Sequence, residues 1–123
     1  MAFVRRWDGR WYNHTMDLVG QIRTKIGQDM FEFSKHALDQ SVLREISLEE
    51  FRQAIAVAEL IEDYPNDKYG PSCLLLGITG KGRPLHILCS YPSRSLVKII
   101  TLYEPDSSQW IRNHLRLIPP NSN

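Results

Sequence analysis

The chain lacks most of the features that would assign it to a function class at sight. No apolar run approaches the ~20 residues that a membrane-crossing helix needs. Arg5, Arg6, Asp8 and Arg10 fall where a secretory leader would be apolar, so no signal and a cytoplasmic location are expected. Cysteine occurs only as Cys73 and Cys89. In a chain without an export signal, two reduced core thiols are expected rather than a bridge. The nearest approach to metal-ligand spacing, His86-x-x-Cys89, points its two groups to opposite faces of a strand, so neither a metal nor a cofactor is expected. Repeats and low-complexity tracts are absent. The glycines of Gly77-Ile-Thr-Gly80-Lys-Gly82 match neither a dinucleotide fingerprint nor a Walker loop and read as turn chemistry.

With 123 residues the chain is the size of one domain that can bury a core unaided. The organisation expected is an N-terminal arm over 1–14, a single α+β domain over 15–118 and a tail over 119–123. Net charge is only +1, but its distribution is uneven. From Glu45 to Asp67 the acids Glu45, Glu49, Glu50, Glu59, Glu62, Asp63 and Asp67 face Arg52 alone, whereas Lys68 to Tyr103 contains no acid. Segregated solvated faces account for such runs. A positive sheet face bearing Lys81, Arg83, Arg94 and Lys98, suited to RNA or to an acidic partner, accounts for them as well.

In the arm, Trp7, Trp11 and Tyr12 alternate with Arg5, Arg6 and Arg10 without helical or strand periodicity. Aromatics beside arginines fit base stacking, and they equally fit a strap packed on the core. Leu18, Val19, Ile22 and Ile26 predict a first helix, with Thr15 as cap and Gly27 as stop. Ser34 is placed to cap a second helix carrying His36, Leu38, Val42 and Leu43. Ser47-Leu48-Glu49-Glu50 is a capping box for a third, with Leu48, Phe51, Ile55 and Ala58 on its buried stripe. Strands follow at Leu60–Tyr64 and Cys73–Thr79, then a tight turn at Gly80-Lys81-Gly82 and two further strands. Pro105-Asp106-Ser107-Ser108 opens a short C-terminal helix with Trp110, Ile111 and Leu115 on its apolar side. The fold expected is α+β, with N-terminal helices packed on a four-stranded antiparallel sheet.

The chemistry concentrates in the last two strands, Pro84–Tyr91 and Leu96–Glu104. A four-residue loop at Pro92-Ser93-Arg94-Ser95 pairs Tyr91 with Leu96 and sets His86 opposite Thr101. Tyr103 then lies on the same face, with Leu85, Ile87, Ile100 and Leu102 on the other. A loop one residue longer or shorter would move Thr101 to the far face. A histidine in an apolar strand also fits a packed, hydrogen-bonded core residue.

Taken together, Ser34-Lys35-His36-Ala37-Leu38, Ile46-Ser47, Ile61-Glu62-Asp63-Tyr64-Pro65, Leu76-Gly77, Arg83-Pro84-Leu85-His86 and Ile100-Thr101-Leu102-Tyr103-Glu104-Pro105 to Trp110 resemble the domain-of-unknown-function family numbered forty-two fifty-eight. The resemblance runs from about residue 15 to about residue 112. It implies a small bacterial protein similar to RelE-type ribonuclease toxins, with a zinc-finger antitoxin as partner. Asp39 and Gln40 stand where relatives often carry an arginine. On this reading the protein is the toxin of a toxin-antitoxin pair and a metal-independent endoribonuclease. His36 and His86 would exchange protons, Arg44 would hold the phosphate, and Thr101 and Tyr103 would donate hydrogen bonds. The competing reading is a non-catalytic protein- or RNA-binding module of the same fold.

Overall fold

In the computed structural model of the chain, which describes residues 4–7, 10–106, 110–111 and 113–116, Leu18, Val19, Ile22 and Ile26 form the buried stripe of helix α1 (His14–Gly27). The arm before it is a hairpin of β1 (Val4–Trp7) and β2 (Arg10–Asn13). Next come β3 (Phe31–Phe33), α2 (Lys35–Leu43) and α3 (Leu48–Ala56), then β4 (Glu59–Tyr64), β5 (Ser72–Ile78), β6 (Pro84–Ser90) and β7 (Val97–Tyr103). A last pair, β8 (Trp110–Ile111) and β9 (Leu115–Arg116), closes the described chain.

The starts of α2 and α3 carry the caps their sequences call for, whereas α1 begins at His14 with the expected cap Thr15 already inside it. Ser34 Oγ accepts the Ala37 N–H at 3.0 Å, and Ser47 and Glu50 satisfy each other's backbone amides as a full capping box. The stripe of α3 is Phe51, Ala54 and Ile55, with Ala58 beyond it; Leu48 is 54% exposed and not part of it. On α2 only Ala37 and Ser41 are buried, leaving Leu38, Val42 and Leu43 facing outward.

The sheet differs from the four-stranded antiparallel one expected. It has five strands in the order β3-β7-β6-β5-β4, and its edge strand β3 runs parallel to β7, from Phe31–Val97 to Phe33–Ile99. Three residues are too few to show a period of two, so Met30 to Phe33 reads in the sequence only as an apolar patch. Rings fix the strand in place: Phe31 and Phe33 pack on Phe51 of α3 with centroids 5.5 and 5.1 Å away, and the Arg52 guanidinium lies 5.2 Å over Phe31. The expected C-terminal helix is also overturned, since Trp110–Ile111 and Leu115–Arg116 pair antiparallel around a turn where Asn113 has φ 65°. Trp110, Ile111 and Leu115 are too few apolar positions to separate helix from hairpin, and asparagine tolerates the left-handed turn.

Cys73, Leu75, Leu85, Ile87, Cys89, Val97, Ile99 and Leu102 line the sheet face that, with α1 and α3, makes the core. Each fully buried Leu or Ile contributes on the order of 1.5–3 kcal/mol. Cys73 and Cys89 are free, buried and directly opposite each other. A hydrogen bond between the two thiols, with burial, pushes the Cys73 thiol well above its ordinary range. At Gly77 a Cβ would stand 2.1 Å from the Ala54 carbonyl oxygen, so α3 rests on β5 backbone to backbone.

Between β6 and β7 the register is two residues from the expected one. His86 stands opposite Tyr103 and Leu88 opposite Thr101, and a bulge follows, after which Cys89 pairs with Ile99. A shift of two preserves the faces, so His86, Thr101 and Tyr103 still share one. The unpaired Ile100 offers its carbonyl to Ser34 Oγ at 2.9 Å, and Ser34 N donates to the Ile99 carbonyl at 2.9 Å. The bulge thereby fixes the start of α2 against β7.

Candidate nucleic-acid interface

The residues singled out in the sequence fall into three places. The first is a cleft of about 480 Å³ lined by Ser34, His36, Tyr69, Gly70, Pro71, Ser90, Tyr91, Ser93, Arg94, Lys98 and Ile100. His36 reaches it because Ser34 anchors the first turn of α2 to the bulge, which leaves His36 exposed on the next residue but one. Lys98 comes from β7, where its amide donates to Ser90 Oγ at 2.8 Å. Arg94 comes from the loop between β6 and β7, and the Lys25 ammonium of α1 binds the carbonyls of Arg94 and Ser95. On the wall, the Tyr91 hydroxyl donates to Asp63 Oδ1 at 2.5 Å. Burial and that carboxylate raise the Tyr91 phenol above its ordinary range, so it stays protonated. Among the described residues no acid lines the cleft, and neither Arg94 nor Lys98 has an ion-pair partner.

The second place is a groove of about 650 Å³ between the Gly80-Lys81-Gly82 turn and the start of α3. It gathers Arg44, Lys81 and Arg83 with Glu45, Glu49 and Glu50. Arg83 is spent on the fold: it donates to Glu104, to Glu50 at 3.3 Å, and to the Glu45 and Arg44 carbonyls at 3.0 and 2.6 Å. The bond to Glu104, helped by Glu50, raises the Arg83 guanidinium further and keeps it charged. Glu50 is held below the ordinary carboxylate range, first by the Ser47 amide and then by Arg83. Arg44 caps α2, its side chain donating to Gln40 Oε1 at 2.8 Å.

The third place is the sheet face of His86. Its ring is wholly buried, with Nε2 2.7 Å from the Asn113 carbonyl and Nδ1 3.3 Å from the Tyr103 hydroxyl. A carbonyl can only accept, so Nε2 carries the proton, and in the neutral ring Nδ1 accepts from Tyr103. The turn after β8 thus covers His86, and His114 on the same turn pairs with Glu59 of β4. His36 and Arg44, expected to share one phosphate with His86, line the cleft and the groove respectively, and His86 lines neither. Thr101 and Tyr103 are half-buried on the His86 face.

Tyr69 is the cleft residue the sequence reading passed over. It is 84% exposed in a loop held by Asp67, which accepts the Tyr69 amide at 3.1 Å on Oδ1 and the Gly70 amide at 2.9 Å on its carbonyl. An aromatic beside Lys68 and before Gly70 in a turn-rich stretch was the available signal.

Among the described residues, no three His, Cys, Asp or Glu gather to hold a metal, and no helix is long and apolar enough to cross a membrane. The family model described as Domain of unknown function (DUF4258) matches residues 33–104, from the end of β3 to the residue after β7. No curated protein and no solved structure matches, so the RelE-type likeness finds no support there.

Proposed function

The chain belongs to the DUF4258 family, and from that premise we propose that it is a cytoplasmic RNA-binding domain whose His36 cleft receives a phosphodiester. One observation carries this reading: His36, Arg94 and Lys98, brought from a helix, a loop and a strand, line one concavity with no carboxylate among its described lining residues. Two cations without an ion-pair partner among the described residues suit a phosphate oxygen, and Tyr91, Pro71 and Ile100 give the apolar surface that a nucleoside needs. The test is fluorescence anisotropy with a labelled oligoribonucleotide over a salt series. The affinity falls as salt rises, and replacing both Arg94 and Lys98 by alanine lowers the logarithmic slope by roughly 0.7 per lost phosphate contact. A wild-type protein that binds no RNA, or a double variant with the wild-type slope, overturns the reading.

The second reading is a toxin-type, metal-independent endoribonuclease partnered by a zinc-finger antitoxin. It is favoured by the exposure of His36 beside two cations, since strand cleavage needs a proton-transfer group next to charge on the phosphate. Proton transfer then rests on His36, because both ring nitrogens of His86 are already engaged. Induced expression that arrests growth and cleaves RNA in the presence of chelator, both abolished by His36→Ala, supports it. Intact RNA under wild-type expression leaves the binding module.

A further inference from the structure

We infer that Tyr69 is a stacking platform for an unpaired base, which makes the ligand of the cleft single-stranded. This rests on the RNA-binding reading of the same cleft and adds which form of RNA enters it. Tyr69 lines the cleft together with His36, Arg94 and Lys98. Tyr69 is 84% exposed, the most exposed of the large apolar side chains among the described residues. Among the described residues its ring contact is with the ammonium of Lys68, 5.0 Å from the ring centroid.

The loop holds the main chain on both sides of the ring. Asp67 binds the Tyr69 and Gly70 amides, and its other carboxylate oxygen accepts from Ser72 Oγ of β5 at 3.4 Å. Gly70 takes φ +107°, a conformation open to glycine, and so lets the chain reverse directly after the ring. Pro71 then joins the sheet, its carbonyl accepting the Tyr91 amide at 3.1 Å. The tyrosine is therefore presented on a short, doubly tied turn whose far end is part of β5.

An exposed ring in a cleft lined by cations is the combination that single-strand binders use, charge tracking the backbone and rings taking successive bases; with Lys68 over one face of the ring, a base would take the other. Bases in a duplex are already stacked on each other and show the protein only their edges, so this ring can be used only by a base that is unpaired. Ring–base stacking is also tolerant of base identity, so the platform selects for strandedness and not for sequence.

The experiment is anisotropy of the full chain with three labelled probes: a single-stranded oligoribonucleotide, the same strand annealed to its complement, and an oligomer of the same length with one internal abasic residue scanned along it. Expected are weaker binding of the duplex than of the single strand, and a loss of about 10-fold for Tyr69→Ala on the single strand. Tyr69→Phe should retain wild-type affinity, which shows that the ring and not the hydroxyl acts. At one abasic position the wild type and Tyr69→Ala should bind alike. If Tyr69→Ala binds the single strand as wild type does while Arg94→Ala and Lys98→Ala weaken it, the platform is overturned and the phosphate cleft stands. If no variant alters binding, both fall together.

Discussion

Lys81 and Arg83 of the groove come from the same acid-free stretch as Arg94 and Lys98 of the cleft, and the fold treats the two pairs in opposite ways. Lys81 and Arg83 are set against Glu45, Glu49 and Glu50, from the part of the chain richest in acid, and Arg83 spends its donors on two carboxylates and two carbonyls. Arg94 and Lys98 form no ion pair among the described residues, although Glu32 of β3 stands in register with Lys98. A run of basic residues in a sequence is therefore not yet a basic surface. What matters is which stretch the topology lays against it, and here the start of α3 pairs with Arg83 while Arg94 and Lys98 keep no ion-pair partner among the described residues.

That contrast can be broken, and the largest effect is expected at Arg83. Arg83→Met removes the tie between the α2–α3 connection and the sheet, and should lower stability by about 2 kcal/mol, given that hydrogen bonds to charged groups contribute most. Its RNA affinity should change little, and denaturant unfolding beside anisotropy separates the two effects. Charge reversal reads the contrast directly. Arg94→Glu with Lys98→Glu should cost at least about 10-fold in RNA affinity, whereas Lys81→Glu should cost less than about 2-fold because its groove is already acidic. Equal losses at the two sites would erase the distinction. Smaller again, Ser47→Ala opens the capping box of α3 and should cost about 1 kcal/mol in thermal or chemical melts, with the cleft unaffected.

The smallest effect sharpens the electrostatic side. Glu50 titrates below the ordinary 4.5 in the folded chain, held there by the Ser47 amide and then Arg83. A depressed carboxylate stabilises the fold above its unfolded pKa, and that stabilisation is lost as pH falls through the folded value. Stability should therefore decline between about pH 5 and the lower folded pKa, and Glu50→Gln should flatten that part of the curve. Because Glu50 is only partly shielded from water, the change is modest and shrinks with added salt.

Much of this was legible in the residues. The stripe Leu18, Val19, Ile22 and Ile26 and the caps at Ser34 and Ser47 act within one turn of helix, so local rules suffice. The shared face of His86, Thr101 and Tyr103 came through because a register error of two leaves a period-two pattern unchanged. What was not legible is long-range. The parallel pairing of Phe31–Phe33 with Val97–Ile99 spans more than half the chain, and three residues carry no period. The bulge at Ile100 shows itself only once Ile99 and Leu102 are both seen to face the core. Nor could spacing reveal that His36 and Arg44, about two helical turns apart on α2, open into different concavities.

Gly77 sets a gauge for the whole domain. Because Ala54 sits on its bare Cα, the distance from α3 to the sheet is a hard stop, not an average over adaptable side chains. Any side chain introduced there acts as a shim that lifts the helix bodily, and Phe51, one turn earlier, would carry the Phe31–Phe33 edge away with it. Since β3 runs straight into Ser34, a methyl group added at Gly77 would be felt at the start of α2, where His36 lines the cleft.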